Sequence, residues 1–224
     1  MKLIIQLVLW VLIAFLAWQL YSSIIGPVKF NEKRDARYAK VIDNLKDIRS
    51  AELAFKEING KFTGSFDSLI RFIDTAQFAR VQRRDTFYAD EKKNRAFGLD
   101  AKTGGYILEE TLIDTLGFTP IKDSLYGGTD RYKRMMKIPV EGVDAEFELK
   151  AGVVIKNDDP YSAFEAKVAK DVILGDLDKD LLSQEKMVVS VEGVNGKYIK
   201  VGSLETVDTS GNWPKIYDAP KQDK

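Results

Sequence analysis

LIIQLVLWVLIAFLAWQLYSSIIGPV, residues 3–28, carries no charged side chain, and only Gln6, Gln19, Ser22 and Ser23 break its apolar run before a closing Gly26-Pro27. Coiled as a helix, Leu3–Ile25 reaches about 34 Å, enough to cross the hydrocarbon core of a bilayer. Trp10 and Trp18 fall inside the span and Tyr21 near an interface. The stretch is longer than the apolar region of a cleaved signal peptide, and no A-x-A site ends it. It is therefore expected to be an uncleaved, single-pass anchor, residues 1–28, with the lipid bilayer as its first partner.

Orientation follows from two opposed signals. Lys29, Lys33, Arg34, Arg37 and Lys40 follow the span, and positive charge alone would hold the carboxyl side in the cytoplasm. Glu32 and Asp35 intersperse that cluster, however, and the short Met1-Lys2 lead is that of a signal-anchor. The expected placement is the inner (cytoplasmic) membrane with the soluble part outside, in the periplasm.

Gly26-Pro27 is expected to kink or interrupt the helix as it leaves the membrane. Helical period then resumes over residues 29–60, with Asn31 as N-cap and Asn59-Gly60 as stop. Tyr38, Val41, Ile42, Leu45, Ile48, Phe55 and Ile58 recur at spacings of three and four and form one apolar stripe on an otherwise charged helix, which runs about 40 Å over Glu32–Ile58. Such a stripe either packs on its own domain or serves as a seam between subunits. As a seam, Tyr38, Val41, Ile42, Leu45, Ile48 and Phe55 are the candidate interaction residues, although Glu52 sits where a coiled coil wants an apolar side chain.

Composition narrows the chemistry. The 224 residues include 34 basic and 34 acidic side chains, no cysteine and no histidine. Balanced charge lacks the basic surplus that phosphate binding needs, which argues against nucleic acid as a partner. Without cysteine there is no disulfide, thiol nucleophile or acyl anchor, and without histidine the usual general base and zinc ligand are missing.

Beyond the stalk, Ser65 or Asp67 is expected to cap a helix over Ser68–Ala79, followed by a polar stretch at Arg80–Arg95. Tyr106–Leu116 reads as a helix through Ile107, Leu108, Leu112, Ile113 and Leu116. The period then changes to two. Met135–Val140, Ala145–Leu149 and Val153–Ile155 read as strands, the first two joined at Glu141–Asp144. Val188–Val191 and Lys197–Val201 read as a hairpin around Asn195-Gly196. The expected fold is α+β: a transmembrane helix continuing into a long amphipathic helix, then a mixed helix and antiparallel-sheet domain, helical over residues 61–120, β-rich over 121–217, with a disordered tail at 218–224.

Few motifs invite catalysis. Ser183-Gln184-Glu185-Lys186 matches S-x-x-K, a pattern expected about once by chance at this serine and lysine content. Asp176, Asp178 and Asp180 alternate as in a calcium loop, but Leu181 stands where that loop needs glycine and Met187 where it needs glutamate. A capped helix start or a polar strand edge explains the acids better. Arg80, Arg83 and Arg84 are best read as a solvated face beside Asp85, Asp90 and Glu91.

Ala54-Phe55-Lys56-Glu57-Ile58-Asn59-Gly60-Lys61-Phe62-Thr63-Gly64-Ser65 with Leu69, placed after a membrane helix, a Gly-Pro joint and an amphipathic continuation, resembles the type IV pilin and pseudopilin pattern over roughly the first 75 residues. The chain departs from it in lacking the basic leader, in having Gln6 where an early acidic residue is usual, and in carrying Thr63 in place of proline. Leu174-Gly175-Asp176-Leu177 and Lys200–Glu205 further resemble single-pass envelope proteins of Bacteroidetes, which implies no activity. Together these features imply a non-enzymatic, membrane-anchored envelope protein that assembles with other envelope proteins or with itself and needs no cofactor. The alternatives are a membrane-tethered ligand- or glycan-binding sensor, or an enzyme built on carboxylates at Asp176, Asp178 and Asp180.

Overall fold

The computed structural model describes residues 2–100 and 104–219. The elements run α1 (Lys2–Asn59), α2 (Phe66–Thr75), β1 (Gln77–Ala89), α3 (Glu91–Ala96), β2 (Ile107–Pro120), α4 (Ile121–Tyr126), a 3-10 turn (Arg131–Arg134), β3 (Glu148–Lys156), β4 (Asp159–Ala169), α5 (Lys170–Leu174), α6 (Lys179–Lys186), β5 (Tyr198–Gly202) and a second 3-10 turn (Lys215–Asp218). The class is α+β. Two compact units divide the chain: Met1–Arg71 with Asp130–Lys224, and Phe72–Thr129.

The first unit is organised by α1, a single helix of 58 residues, about 87 Å long. Contrary to the expected break at Gly26-Pro27, Pro27 lies inside the helix. Proline removes one amide donor and one backbone hydrogen bond, which a helix carrying long apolar and packed flanks absorbs. Every residue from Lys2 to Ile24 is exposed, including Trp10 and Trp18. By length and composition this exposed apolar part is long enough to cross a membrane. The C-terminal stop falls where the sequence places it: α1 ends at Asn59, and Gly60 takes a left-handed φ of 75°.

The other half of α1 lies on a three-stranded antiparallel sheet of order β3-β4-β5. Tyr38, Val41, Ile42, Leu45 and Ile48 are fully buried there, with Ala51 and Ala54 continuing the same face. Phe164, Ala166 and Val168 of β4 and Ile199 and Val201 of β5 are buried as well. At about 2 kcal/mol per buried large apolar side chain, the five stripe residues from Tyr38 to Ile48 contribute on the order of 10 kcal/mol of gross hydrophobic stabilisation. Just past the helix, the Phe62 ring packs at 4.7 Å on Phe164, and the Phe62 amide donates to Ser162 Oγ at 2.9 Å.

Two of the three expected strands upstream of residue 157 shrink or shift. Met135–Val140 and Ala145–Leu149 reduce to one bridge, Lys137 with Glu146, and the ladder proper begins at Glu148. Pro139 removes a donor from the first of these segments. Val153–Ile155 falls inside β3 as expected. The expected hairpin around Asn195-Gly196 does not form. Val188–Val191 has no ladder, Val189 and Val191 are more than 90% exposed, and β5 pairs instead with β4. The Gly196 amide donates to Val188 O at 3.3 Å, so this segment closes as a loop. Of the expected tail 218–224, Asp218 closes the second 3-10 turn, and residues 220–224 lie outside the described residues.

β5 ends at Gly202, with φ 75°, where a Cβ would lie 2.2 Å from the Phe164 carbonyl oxygen. Backbone cannot move aside as a side chain can. Gly202→Ala is therefore expected to lower the unfolding free energy of the detergent-solubilised full chain by more than about 2 kcal/mol. Gly142→Ala, at φ 79° with open space around it, should lower it by about 1 kcal/mol. Equal urea midpoints for the two variants would refute the steric account.

In the second unit, β1 and β2 form a two-stranded antiparallel ribbon from Gln77↔Pro120 to Ala89↔Ile107, with a bulge between Arg80 and Val81. This corrects the expected helix at Tyr106–Leu116, which is strand, and gives the polar stretch from Arg80 a strand partner. The expected Ser68–Ala79 helix stops at Thr75 for the same reason, since Gln77 already pairs with Pro120. At the far end, Asp90 accepts from the Lys93 amide and caps α3, and buried Asn94 holds both backbone groups of Tyr106.

Candidate functional site

Polar chemistry gathers where α1 meets α6 and the loop after it. Lys170 follows β4 directly and is fully buried. Its ammonium donates to the Glu185 carbonyl at 2.7 Å, the Val194 carbonyl at 2.7 Å and Glu185 Oε1 at 3.0 Å, using all three N–H groups. Glu185, on the inner face of α6, also accepts from the Tyr38 hydroxyl at 3.2 Å and from the Arg34 guanidinium at 2.9 Å. Arg34 in turn binds Asp35 at 2.9 Å.

Environment sets the protonation of these groups. Burial raises the Tyr38 phenol well above its ordinary range, and the Glu185 charge adds to the effect. Burial lowers the Lys170 ammonium, against the pull of Glu185. For Arg34 burial works downward, but Asp35 and Glu185 together prevail and raise it. Charge is thus compensated at each step: Lys170 and Arg34 flank one carboxylate, and Tyr38 stays a neutral donor. A lysine that donates three hydrogen bonds has no lone pair free to act as a base or nucleophile. The cluster is built to clamp α1 to α6 and to the Val188–Val194 loop.

A cavity of about 200 Å³ opens beside the clamp, lined by Arg34, Asp35, Tyr38, Glu185, Glu192 and Tyr217 among others. Its volume falls below the range of about 300–1,000 Å³ common for small-molecule pockets, and its wall mixes charged side chains with Val188, Val194 and the rings of Tyr38 and Tyr217.

The residues singled out by sequence are dispersed. Ser183 is exposed on α6, while Lys186 donates to Asp171 at 2.8 Å. Asp176 takes a two-pronged contact from Arg37, one arm at 2.8 Å, and its carboxyl is held below the usual range mainly by that hydrogen bond. Asp178 Oδ1 accepts from the backbone amides of Asp180 and Leu181 and so caps α6, the role expected of a helix start. Among the described residues, no three histidine, cysteine, aspartate or glutamate side chains converge as a metal site. Of the basic run, Arg84 pairs with Asp114 at 2.6 Å across the ribbon. The candidate seam residues Tyr38, Val41, Ile42, Leu45 and Ile48 are buried within their own chain, and Phe55 is half-buried. They form core, not a bare seam.

Glu52 was legible only as a break in the stripe. It is fully buried on α1, accepts from the Thr63 amide at 3.0 Å through Oε2, and leaves Oε1 without a partner among the described residues. Burial pushes its carboxyl up to about 8, against the Thr63 hydrogen bond. Lys170 and Glu185 could not be found from sequence, since nothing in the spacing of a lysine after a strand and a glutamate on a short helix marks them as partners.

No family model matches this chain, and no curated protein or solved structure is similar to it.

Proposed function

We propose that this chain is a non-enzymatic, membrane-anchored envelope protein that acts in protein–protein assembly, with its soluble part outside the inner membrane. The observation that carries this is the division of α1. One continuous helix has an apolar half with no cover in the protein and a second half packed into the sheet domain. A helix so divided holds a folded domain at a fixed height above a bilayer, which suits a scaffold more than a turnover site. A serine–lysine site has little support, since Lys186 of the S-x-x-K match is paired with Asp171. The likeness to the pilin and pseudopilin pattern at residues 54–69 is in keeping with assembly through the envelope.

Lysine-reactive cross-linking of intact membranes carrying the full chain tests this. Cross-links from the soluble part to itself or to other envelope proteins are expected. A chain that yields none, at densities where known complexes are captured, is not an assembly component. Protease treatment of spheroplasts tests the side of the membrane, and full protection of the soluble part would overturn the outer placement.

A further inference from the structure

The β1–β2 ribbon has features that neither unit's core explains. It is thirteen residue pairs long, about 40 Å, and among the described residues both outer edges lack a strand partner. Isolated two-stranded ribbons are marginal in water, and natural proteins blunt long edges with proline, charged side chains, bulges or short strands, of which this ribbon has the charges and one bulge. Within the paired length proline occurs only at its end, Pro120. Large apolar side chains stand exposed on both faces: Val81, Phe87, Ile107 and Ile113 on one, Tyr88, Leu108 and Leu112 on the other.

Charge is sorted between the strands. β1 holds Arg80, Arg83 and Arg84 against Asp85, a balance of 3 − 1 = +2, whereas β2 holds Glu109, Glu110 and Asp114 with no basic residue, a balance of −3. Within the ribbon, Arg84 binds Asp114 and Asp85 accepts from Thr111. Arg80 and Arg83 on one edge and Glu109 and Glu110 on the other make no ion pair among the described residues.

We infer that the ribbon is an edge-to-edge docking element for a second copy of this chain, the basic β1 edge of one copy joining the acidic β2 edge of the next. This rests on the assembly role proposed above and names its surface and partner. Two β1 edges, or two β2 edges, would bring like charges together, so only the head-to-tail arrangement is favourable. Each copy still has one free edge after pairing, and the contact propagates into a ring or a row. The strand contact is antiparallel and sets Arg83 of one copy opposite Glu109 of the next, four residues out of the ribbon's own register, in which Arg83 pairs with Ile113 and Phe87 with Glu109.

Charge reversal on the full chain in detergent tests this by sedimentation. Arg80→Glu with Arg83→Glu makes both edges acidic, and Glu109→Lys with Glu110→Lys makes both basic. Each variant alone is expected to self-associate at least about tenfold more weakly than the parent, and an equimolar mixture of the two to recover the parent's association. Because the chain has no cysteine, Arg83→Cys and Glu109→Cys copies give an independent readout that perturbs folding little. Disulfides should join Arg83→Cys to Glu109→Cys copies in preference to either self-pair. A parent that stays monomeric, reversals that associate as the parent does, or dominant self-pairs would each overturn the inference. If the parent is monomeric yet still cross-links to other proteins in membranes, the ribbon contact is wrong and the assembly role stands. If no cross-links form at all, both fall.

Discussion

Replacing Lys170 with methionine is expected to remove about 3–5 kcal/mol from the unfolding free energy of the full chain in detergent, the usual penalty for breaking a buried charge pair from one side. Methionine fills much the same volume, so the loss is electrostatic and hydrogen-bonded rather than a cavity. It leaves two buried carbonyls, of Glu185 and Val194, and one carboxylate oxygen without their donor. Glu185→Leu should be comparably harmful, because it strands the Lys170 ammonium in a fully buried position. The double variant should then lose less than the two single losses added together, by about 1–3 kcal/mol, because each single change harms the protein partly by isolating the other partner. Urea titrations of the parent, the two single variants and the double variant measure this coupling. Strict additivity, or single losses under about 1 kcal/mol, would mean that the cluster is not the clamp its geometry describes.

How far the sequence discloses such features depends on what each element does to its own residues. α1 was legible because both halves leave periodic or continuous apolar signals, and because Asn59-Gly60 is a strong stop. Its continuity through Pro27 was not legible. Proline lowers the odds of helix locally, and the packing that carries the helix past it lies far away in the chain. Tyr106–Leu116, most of β2, reads as helix because its apolar residues fall at spacings that suit a helix. A strand with one buried face shows alternation, but this ribbon is exposed on both faces, so no inward face imposes a period of two. Ile107, Thr111, Ile113 and Thr115 are β-branched and were the available hint.

β4 was missed for the opposite reason. Ala163, Ala166, Glu165 and Lys167 read as helix formers, yet this is the central strand of the sheet. Glu165 and Lys167 are tolerated there because they bind each other at 2.9 Å, and Lys200 of β5 reaches Glu165 at 3.1 Å. A usable signal stood just upstream. Asn157 and Asp158 take φ of 53° and 67°, the paired left-handed geometry of a two-residue hairpin turn, at the point where Lys156 pairs with Asp159. Asn-Asp is a weaker mark than Asn-Gly, and the stronger dipeptide at Asn195-Gly196 drew the hairpin to the wrong place. The candidate site was the least legible part. Arg34, Tyr38, Lys170 and Glu185 meet only after β4, α5 and α6 have folded back onto α1.

Glu52 gives the other large effect, and here pH is the variable. Its carboxyl is raised from an ordinary value of 4.5 to about 8, chiefly by burial. Between those limits the folded chain keeps a proton that the unfolded chain has released. Stability associated with this group is therefore complete below about pH 4.5, falls as pH rises toward 8, and changes no further above it. A shift of that size corresponds to about 3–5 kcal/mol over the window. Glu52→Gln keeps an oxygen for the Thr63 amide while removing the ionisable group. It should thus exceed the parent's stability by that margin near pH 8.5 and come within about 1 kcal/mol of it near pH 4.5. Because the chain has no histidine, few other groups titrate in this range. Asp47 is also raised by burial, with Arg131 opposing, but it remains in both proteins, so the difference between the two pH curves isolates Glu52. Denaturant midpoints collected from pH 4.5 to 9 decide it. A parent curve with no decline across the window, or a Glu52→Gln curve that declines in parallel, would show that Glu52 is ionised in the folded chain and that its buried oxygen has found a partner.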